Sequence, residues 1–330
     1  MPAQVTNSAF CGRCGRRNLG NRAFCGGCGA DLRVQSAPST RSPAEPSPRP
    51  QPVAPRRVAV PDPVAPLMPH APHRHHYYRL VLAVGIVLLI LLSMAAANSG
   101  SSAAVGLLIV LGSFFVPVVY VLYMEEIDAL GGVPPLLVVG IGALTVVIAI
   151  PSALILSAIV HAGAGALIPA VLTGLSEEAA KIFVLLVFVH FTRYRFELDG
   201  VIFGAAAGMA FAGVEDALYG LSSLAQQGMS SFLATLWIRQ ILGPFGHGTW
   251  TAAIAAVIWR ERFAGPGRLD RRVLVAYLIS SGLHGLWDWT PVSGIGDYGW
   301  MLIVGIVSVV VLRQRIREAL GQERGALAIK

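Results

Sequence analysis

The sequence predicts an all-α polytopic membrane protein of about eight transmembrane helices, preceded by a small zinc-ribbon module and a disordered proline-rich linker. Three observations carry that prediction. Hydrophobic residues make up 55% of the 330 positions and charged residues only 13%, about half the charged share of an ordinary soluble domain. Apolar runs close to the roughly 20 residues that a bilayer requires recur from Leu80 onward. All four cysteines and most of the prolines lie ahead of the first of these runs.

The first module, residues 1–34, carries Cys11, Cys14, Cys25 and Cys28 in the pattern C-x2-C-x10-C-x2-C. Two knuckles of this spacing place four thiolates around one tetrahedral Zn2+. Glycines beside each pair permit the tight turns that aim backbone amides at sulfur. Such a site has no open coordination position, so the zinc expected here is structural; the competing reading is two disulfides. Residues 35–76 are rich in proline and nearly devoid of aromatics, which makes a semi-rigid, largely extended linker that cannot bury a core. The first apolar run begins only near Leu80, so no secretory signal is expected. His73, His75 and His76 precede Tyr77 and Tyr78 at the membrane edge, where aromatic and basic side chains anchor at headgroup level.

The membrane domain, residues 77–315, is expected to cross at Leu80 to Ala97, Ala103 to Tyr123, Pro135 to Leu156, Ile168 to Phe191, Gly200 to Leu221, Phe232 to Trp259, Val273 to Thr290 and Tyr298 to Leu312. The sixth of these is too long for one straight span and contains Gly243, Pro244, Gly246 and Gly248, which predict a break. Residues 316–330 are expected to form a cytoplasmic tail. Positive charge falls on alternate loops: before the first span, after the fourth (Arg193, Arg195), after the sixth (Arg260 to Arg272) and after the eighth (Arg313 to Arg317). That asymmetry places both termini and the cysteine module in the cytoplasm of a multi-pass cell-membrane protein. A reducing compartment favours zinc over disulfides. The formal charge of +7 belongs to the N-terminal segment, the loops and the C-terminus, so nucleic acid is excluded as the main partner.

Ionisable groups inside apolar spans each require a partner or a task, because burying one in hydrocarbon costs at least about 2.5 kcal/mol. They are Glu177, Glu178 and Lys181 in the fourth span, Glu215 and Asp216 in the fifth, Arg239 and His247 in the sixth, and His284 and Asp288 in the seventh. Lys181 stands four residues from Glu177 and three from Glu178, so it neutralises one carboxylate on its own helix face and leaves the other for further work. Asp288, one turn from His284, can hold one ring nitrogen and fix which one is presented. Asp216 points about 100° away from Glu215, and Arg239 is placed at the outer interface or in an interfacial half-helix. Measured from the nearest cytoplasmic boundary, Glu178, Glu215, His247 and His284 all lie roughly 18 to 24 Å into a core about 30 Å thick. Such a slab can activate water: a glutamate takes its proton and later delivers it to a leaving amine. Glu215, His247 and His284 offer one oxygen and two nitrogens to a divalent metal, zinc foremost; the same groups can instead bind water and oxyanion by hydrogen bonds alone.

At these residues the chain resembles the PrsW family of intramembrane proteases, relatives of the CAAX-prenyl-protease and bacteriocin-processing group. The E-E-x-x-K motif matches Glu177, Glu178 and Lys181, F-x-x-x-E matches Phe211 and Glu215, and H-x-x-x-D matches His284 and Asp288, with His247 as the additional histidine. The matching stretch runs from about Leu167 to Thr290. The resemblance implies catalytic roles for Glu177, Glu178, Lys181, Glu215, His247, His284 and Asp288, and peptide-bond hydrolysis in a membrane-protein substrate, with an anti-sigma factor as one candidate. The cysteine module and linker depart from the minimal family pattern, and a cytoplasmic protein partner for that module is expected. Two other functions compete: a transporter, against which stands the lack of a duplicated half, and a catalytically silent scaffold, which has no need of buried acids.

Overall fold

The computed structural model describes residues 8–10, 17–19, 76–128, 130, 132–159, 167–264, 270–291 and 295–328. The chain divides into two compact units, residues 1–55 and 56–330. In the first, β1 (Ser8–Phe10) and β2 (Arg17–Leu19) form an antiparallel hairpin that pairs Ser8 with Leu19 and Phe10 with Arg17. Cys11, Cys14, Cys25 and Cys28, the proline-rich segment and His161 lie outside the described residues.

The described residues of the second unit form helices: α1 (Tyr77–Ser99), α2 (Ser102–Glu126), α3 (Pro135–Ile159), α4 (Leu167–Phe188), α5 (Glu197–Gln227), α6 (Met229–Leu242), α7 (His247–Trp259), α8 (Arg271–Asp288) and α9 (Ile295–Ala328). Among the described residues, six stretches are long and apolar enough to cross a membrane: α1, α2, α3, α5, the α6–α7 pair taken together, and α9. The eight spans expected from sequence exceed that number by α4 and α8. These are the helices that carry Glu177, Glu178 and Lys181, and Arg271, Arg272, His284 and Asp288, respectively. The expected tail also differs, because α9 runs without a break through residue 328 and buries Ala319 and Ala326 against the bundle.

The centre of the unit is the α5–α7 pair. Every residue of α7 is buried, and small side chains let the two backbones approach closely. A Cβ on Gly208 would come within 2.3 Å of the His247 carbonyl oxygen and one on Gly204 within 2.6 Å of Ala252 Cα. Only glycine fits there, and the fit sets His247 against the middle of α5. A second close contact fixes α4 on α8: a Cβ on Gly174 would meet the Ser281 carbonyl at 2.5 Å, and one on Gly285 would meet Val171 Cα at 2.6 Å. Tyr277 Oη donates to the Leu175 carbonyl at 2.7 Å across the same pair. Gly174 is one turn from Glu178 and Gly285 is next to His284, so this register brings acid and imidazole together.

The break in the sixth apolar stretch falls where glycine and proline stand. α6 ends at Leu242, a 3-10 turn covers Gly243–Phe245, and α7 starts afresh at His247. On the other side of α6, Gly228 at φ +86° turns the chain back directly from α5, a left-handed conformation that glycine adopts without strain. α6 therefore folds back alongside α5.

Candidate active site

Lys181 is the hub. Its ammonium is fully buried on α4, donates to Glu178 Oε1 at 2.8 Å and lies 3.4 Å from Glu177 Oε2. It reaches across to α7, where it donates to His247 Nδ1 at 2.8 Å, and it sits 3.9 Å over the Phe211 ring of α5. The phenylalanine of the F-x-x-x-E pair thus gives a cation–π contact to a lysine with no water around it.

Hydrogen-bond roles follow from these contacts. Because Lys181 can only donate, His247 Nδ1 accepts and its Nε2–H donates to Glu215 Oε2 at 3.0 Å. His284 Nδ1 donates to Glu178 Oε1 at 3.1 Å, while Thr251 Oγ1 donates to Glu178 Oε2 at 2.8 Å. Both oxygens of Glu178 are therefore engaged, and that side chain holds its neighbours in place. His284 Nε2 keeps its lone pair and faces Asp288 Oδ2 at 3.4 Å and Glu177 Oε2 at 3.7 Å. Trp250 stacks on the His284 ring, with centroids 4.4 Å apart and planes 13° apart, and donates to Ser308 Oγ of α9 at 2.9 Å. His247 packs edge-on to His284, with centroids 4.8 Å apart.

The structure therefore brings together all seven residues expected at the site, from α4, α5, α7 and α8. It differs in which of them lie close enough together to share a metal ion. Glu177, His247 and His284 each offer a donor atom within 4.8 Å of the other two. Glu215, expected in that group, instead lies on the far side of His247 and is held by a cation that the spacing leaves at the outer interface. Arg239 of α6 donates through Nη2 to Glu215 Oε2 and through Nε to Asp216 Oδ1. Asp216, expected to point away from the site, shares this guanidinium and also accepts from Gln240 Nε2 at 3.3 Å. The 100° between neighbouring helix positions is real; the planar fork of one arginine is wide enough to span it. A lone arginine inside an apolar run is the signal that points to Arg239. Nothing in the spacing points to Thr251.

A cavity of about 400 Å³ opens onto this cluster. Glu215, Asp216, Tyr219, Arg239, His247 and Asp288 are among its walls, which come from α5, α6, α7, α8 and α9. Five carboxylates (Glu177, Glu178, Glu215, Asp216, Asp288) share two permanent cations, Lys181 and Arg239, and two imidazoles. Glu177, Glu178 and Asp216 of these are buried, and negative charge held there is costly unless positive charge offsets it. The donor set of one oxygen and two nitrogens fits a divalent ion of the zinc class, with a coordination position to spare. Lys181 also competes for one of those lone pairs, at His247 Nδ1.

Comparison with known proteins agrees with this arrangement. Residues 133–313, more than half of the chain, match the family model described as PrsW family intramembrane metalloprotease. A curated relative, Protease PrsW of Clostridioides difficile (strain 630), is 28% identical over 147 residues, 43% of this chain and 58% of the relative. The match thus spans less than two thirds of that relative's length. No solved structure matches the chain.

Proposed function

The chain belongs to the PrsW family of intramembrane metalloproteases, and from that premise we propose that it is an endopeptidase that cuts a membrane-associated protein by attack of an activated water. The observation that carries the proposal is the convergence of Glu177, Glu178, Lys181, Glu215, His247, His284 and Asp288, from four helices, in one cluster, of which Glu215, His247 and Asp288 line a cavity.

Glu177 is the carboxylate with acceptor capacity to spare. Its contacts run through Oε2, to Lys181 and His284, leaving Oε1 to take a proton from water and return it to the leaving amine. Lys181 keeps the two glutamates oriented, Glu178 holds His284 through Nδ1–H, Asp288 stands beside His284 Nε2, and Glu215 orients His247. The fixed N–H and ammonium donors can face the charge that develops on the scissile carbonyl oxygen. Glu177, His247 and His284 would hold a divalent cation, which when bound supplies Lewis-acid polarisation of water and carbonyl.

The topology that suits this chemistry has eight crossings, with α4 and α8 spanning as well. Their charges meet inside the bundle at the site or, for Arg271 and Arg272, sit at a helix end, so low apolarity is no bar to insertion. Both termini then lie in the cytoplasm, and the cysteine module becomes a cytoplasmic zinc ribbon that engages a protein partner. The substrate is a membrane protein, with an anti-sigma factor as one candidate.

The test is to express the wild type beside Glu177→Gln and His284→Ala and compare membrane proteomes. The expected result is a fragment that only the wild type releases. Identical fragment patterns from three folded proteins would remove the protease reading. Metal analysis of a chain lacking residues 1–34 then reports on the intramembrane ion, with about one zinc-class ion per chain expected.

A further inference from the structure

We propose that Arg239 is a positioning residue for the reaction, acting on His247 through Glu215; this role rests on the protease reading above. Glu215 Oε2 accepts simultaneously from Arg239 Nη2 and from His247 Nε2. The same oxygen that fixes the histidine tautomer is thus itself fixed by the guanidinium. With Nε2–H committed to Glu215, the His247 lone pair on Nδ1 faces Lys181 and the rest of the cluster. Without the guanidinium, half-buried Glu215 and buried Asp216 would be two adjacent carboxylates with no cation between them, and nothing would hold Glu215 in line with the imidazole.

Arg239 is braced as a positioning group needs to be. Its ring-facing side lies 4.3 Å from the Tyr219 centroid. Asp216 takes its Nε, and the other Asp216 oxygen is held by Gln240 Nε2. Gln240 Oε1 in turn accepts from the Val116 backbone N–H at 3.0 Å, beside Pro117 within α2. A continuous polar string therefore runs from the α2 backbone through Gln240, Asp216, Arg239 and Glu215 to His247. It uses the reversal at Gly228, which lays α6 back along α5. Lysine has the charge but not the planar fork, so it cannot hold Glu215 and Asp216 at the fixed angle that the guanidinium sets.

The test uses the full-length protein in proteoliposomes with a cleaved membrane substrate, comparing wild type, Arg239→Ala, Arg239→Lys and Glu215→Ala. Loss of a group that orients a site histidine typically costs about 10- to 100-fold. Arg239→Ala is expected to lose about 100-fold in kcat and Arg239→Lys about 10-fold, with KM within about threefold of wild type, as for an interaction realised in the transition state. Added guanidinium is expected to restore at least about a tenth of the lost turnover to Arg239→Ala and none to Glu215→Ala, where its partner is gone. Wild-type turnover in Arg239→Ala or in Arg239→Lys, a loss confined to KM, or rescue of both alanine variants alike would overturn the role and leave the protease reading standing. A wild type that cleaves nothing would sink both. Should Arg239→Ala fail to fold by thermal melting, the Arg239→Lys kinetics decide alone.

Discussion

α1 and α5 are both apolar and long enough to cross a membrane, yet 17% of the most apolar stretch of α1 is buried inside the protein against 72% of that of α5. α1 turns Leu80, Val87, Leu91 and Met94 outward, where lipid is as good a neighbour as protein. α5 and α7 have almost no such face. They exchange apolar bulk for glycine and alanine, pack backbone against backbone, and spend the space gained on Phe211, Glu215 and His247. Hydrocarbon character thus marks the periphery of this bundle, and its loss marks the interior where the site is built. α4 and α8 bring to that interior the buried polar side chains Glu177, Glu178, Lys181 and His284.

Substitutions that strike the interior but spare the periphery test this contrast. The largest effects belong to the cluster itself, where Glu177→Gln or His284→Ala should lower cleavage by about 10²- to 10⁴-fold in a proteoliposome assay. Next comes Lys181→Met, which leaves Glu177 and Glu178 buried without their cation. It should cost about 3–5 kcal/mol of stability, read as a lower melting temperature in detergent. Gly208→Ala should cost about 1–3 kcal/mol, since its methyl group meets the His247 carbonyl oxygen. The same change at Gly106 of α2, where an added Cβ meets nothing within 4 Å, should be close to neutral. Smallest of all, Val139→Ala, 66% exposed on α3, should stay within about 0.5 kcal/mol by the same melting measurement. Comparable losses at Val139 and Gly208 would erase the distinction between the two regions.

Much of this was legible before any coordinates because membranes impose local rules. The Glu177, Glu178 and Lys181 cluster follows from i, i+3 and i, i+4 spacing on a single helix, and the break before His247 from Gly243, Pro244 and Gly246. What escaped depends on rotation and return of the chain. Whether Glu177 or Glu215 joins His247 and His284 is decided by the angular setting of α4 against α8, fixed by Gly174 and Gly285. Arg239 is central to the site only because Gly228 reverses the chain so soon after α5 that α6 returns past Glu215 and Asp216. The continuation of α9 past Leu312 rests on Ala319 docking on distant helices and Ala326 on Leu130 and Phe196, contacts invisible in local hydropathy.

The most direct measurement of whether acids and imidazoles from separate helices form one reaction centre is the kinetics of the double variant Glu177→Gln with His284→Ala. Side chains that serve one water and one carbonyl are non-additive. The double variant should therefore lose no more cleavage rate than the worse of the two single variants, to within about threefold. Losses that multiply would mean that Glu177 and His284 act at independent places, and a shared catalytic pocket could not be maintained.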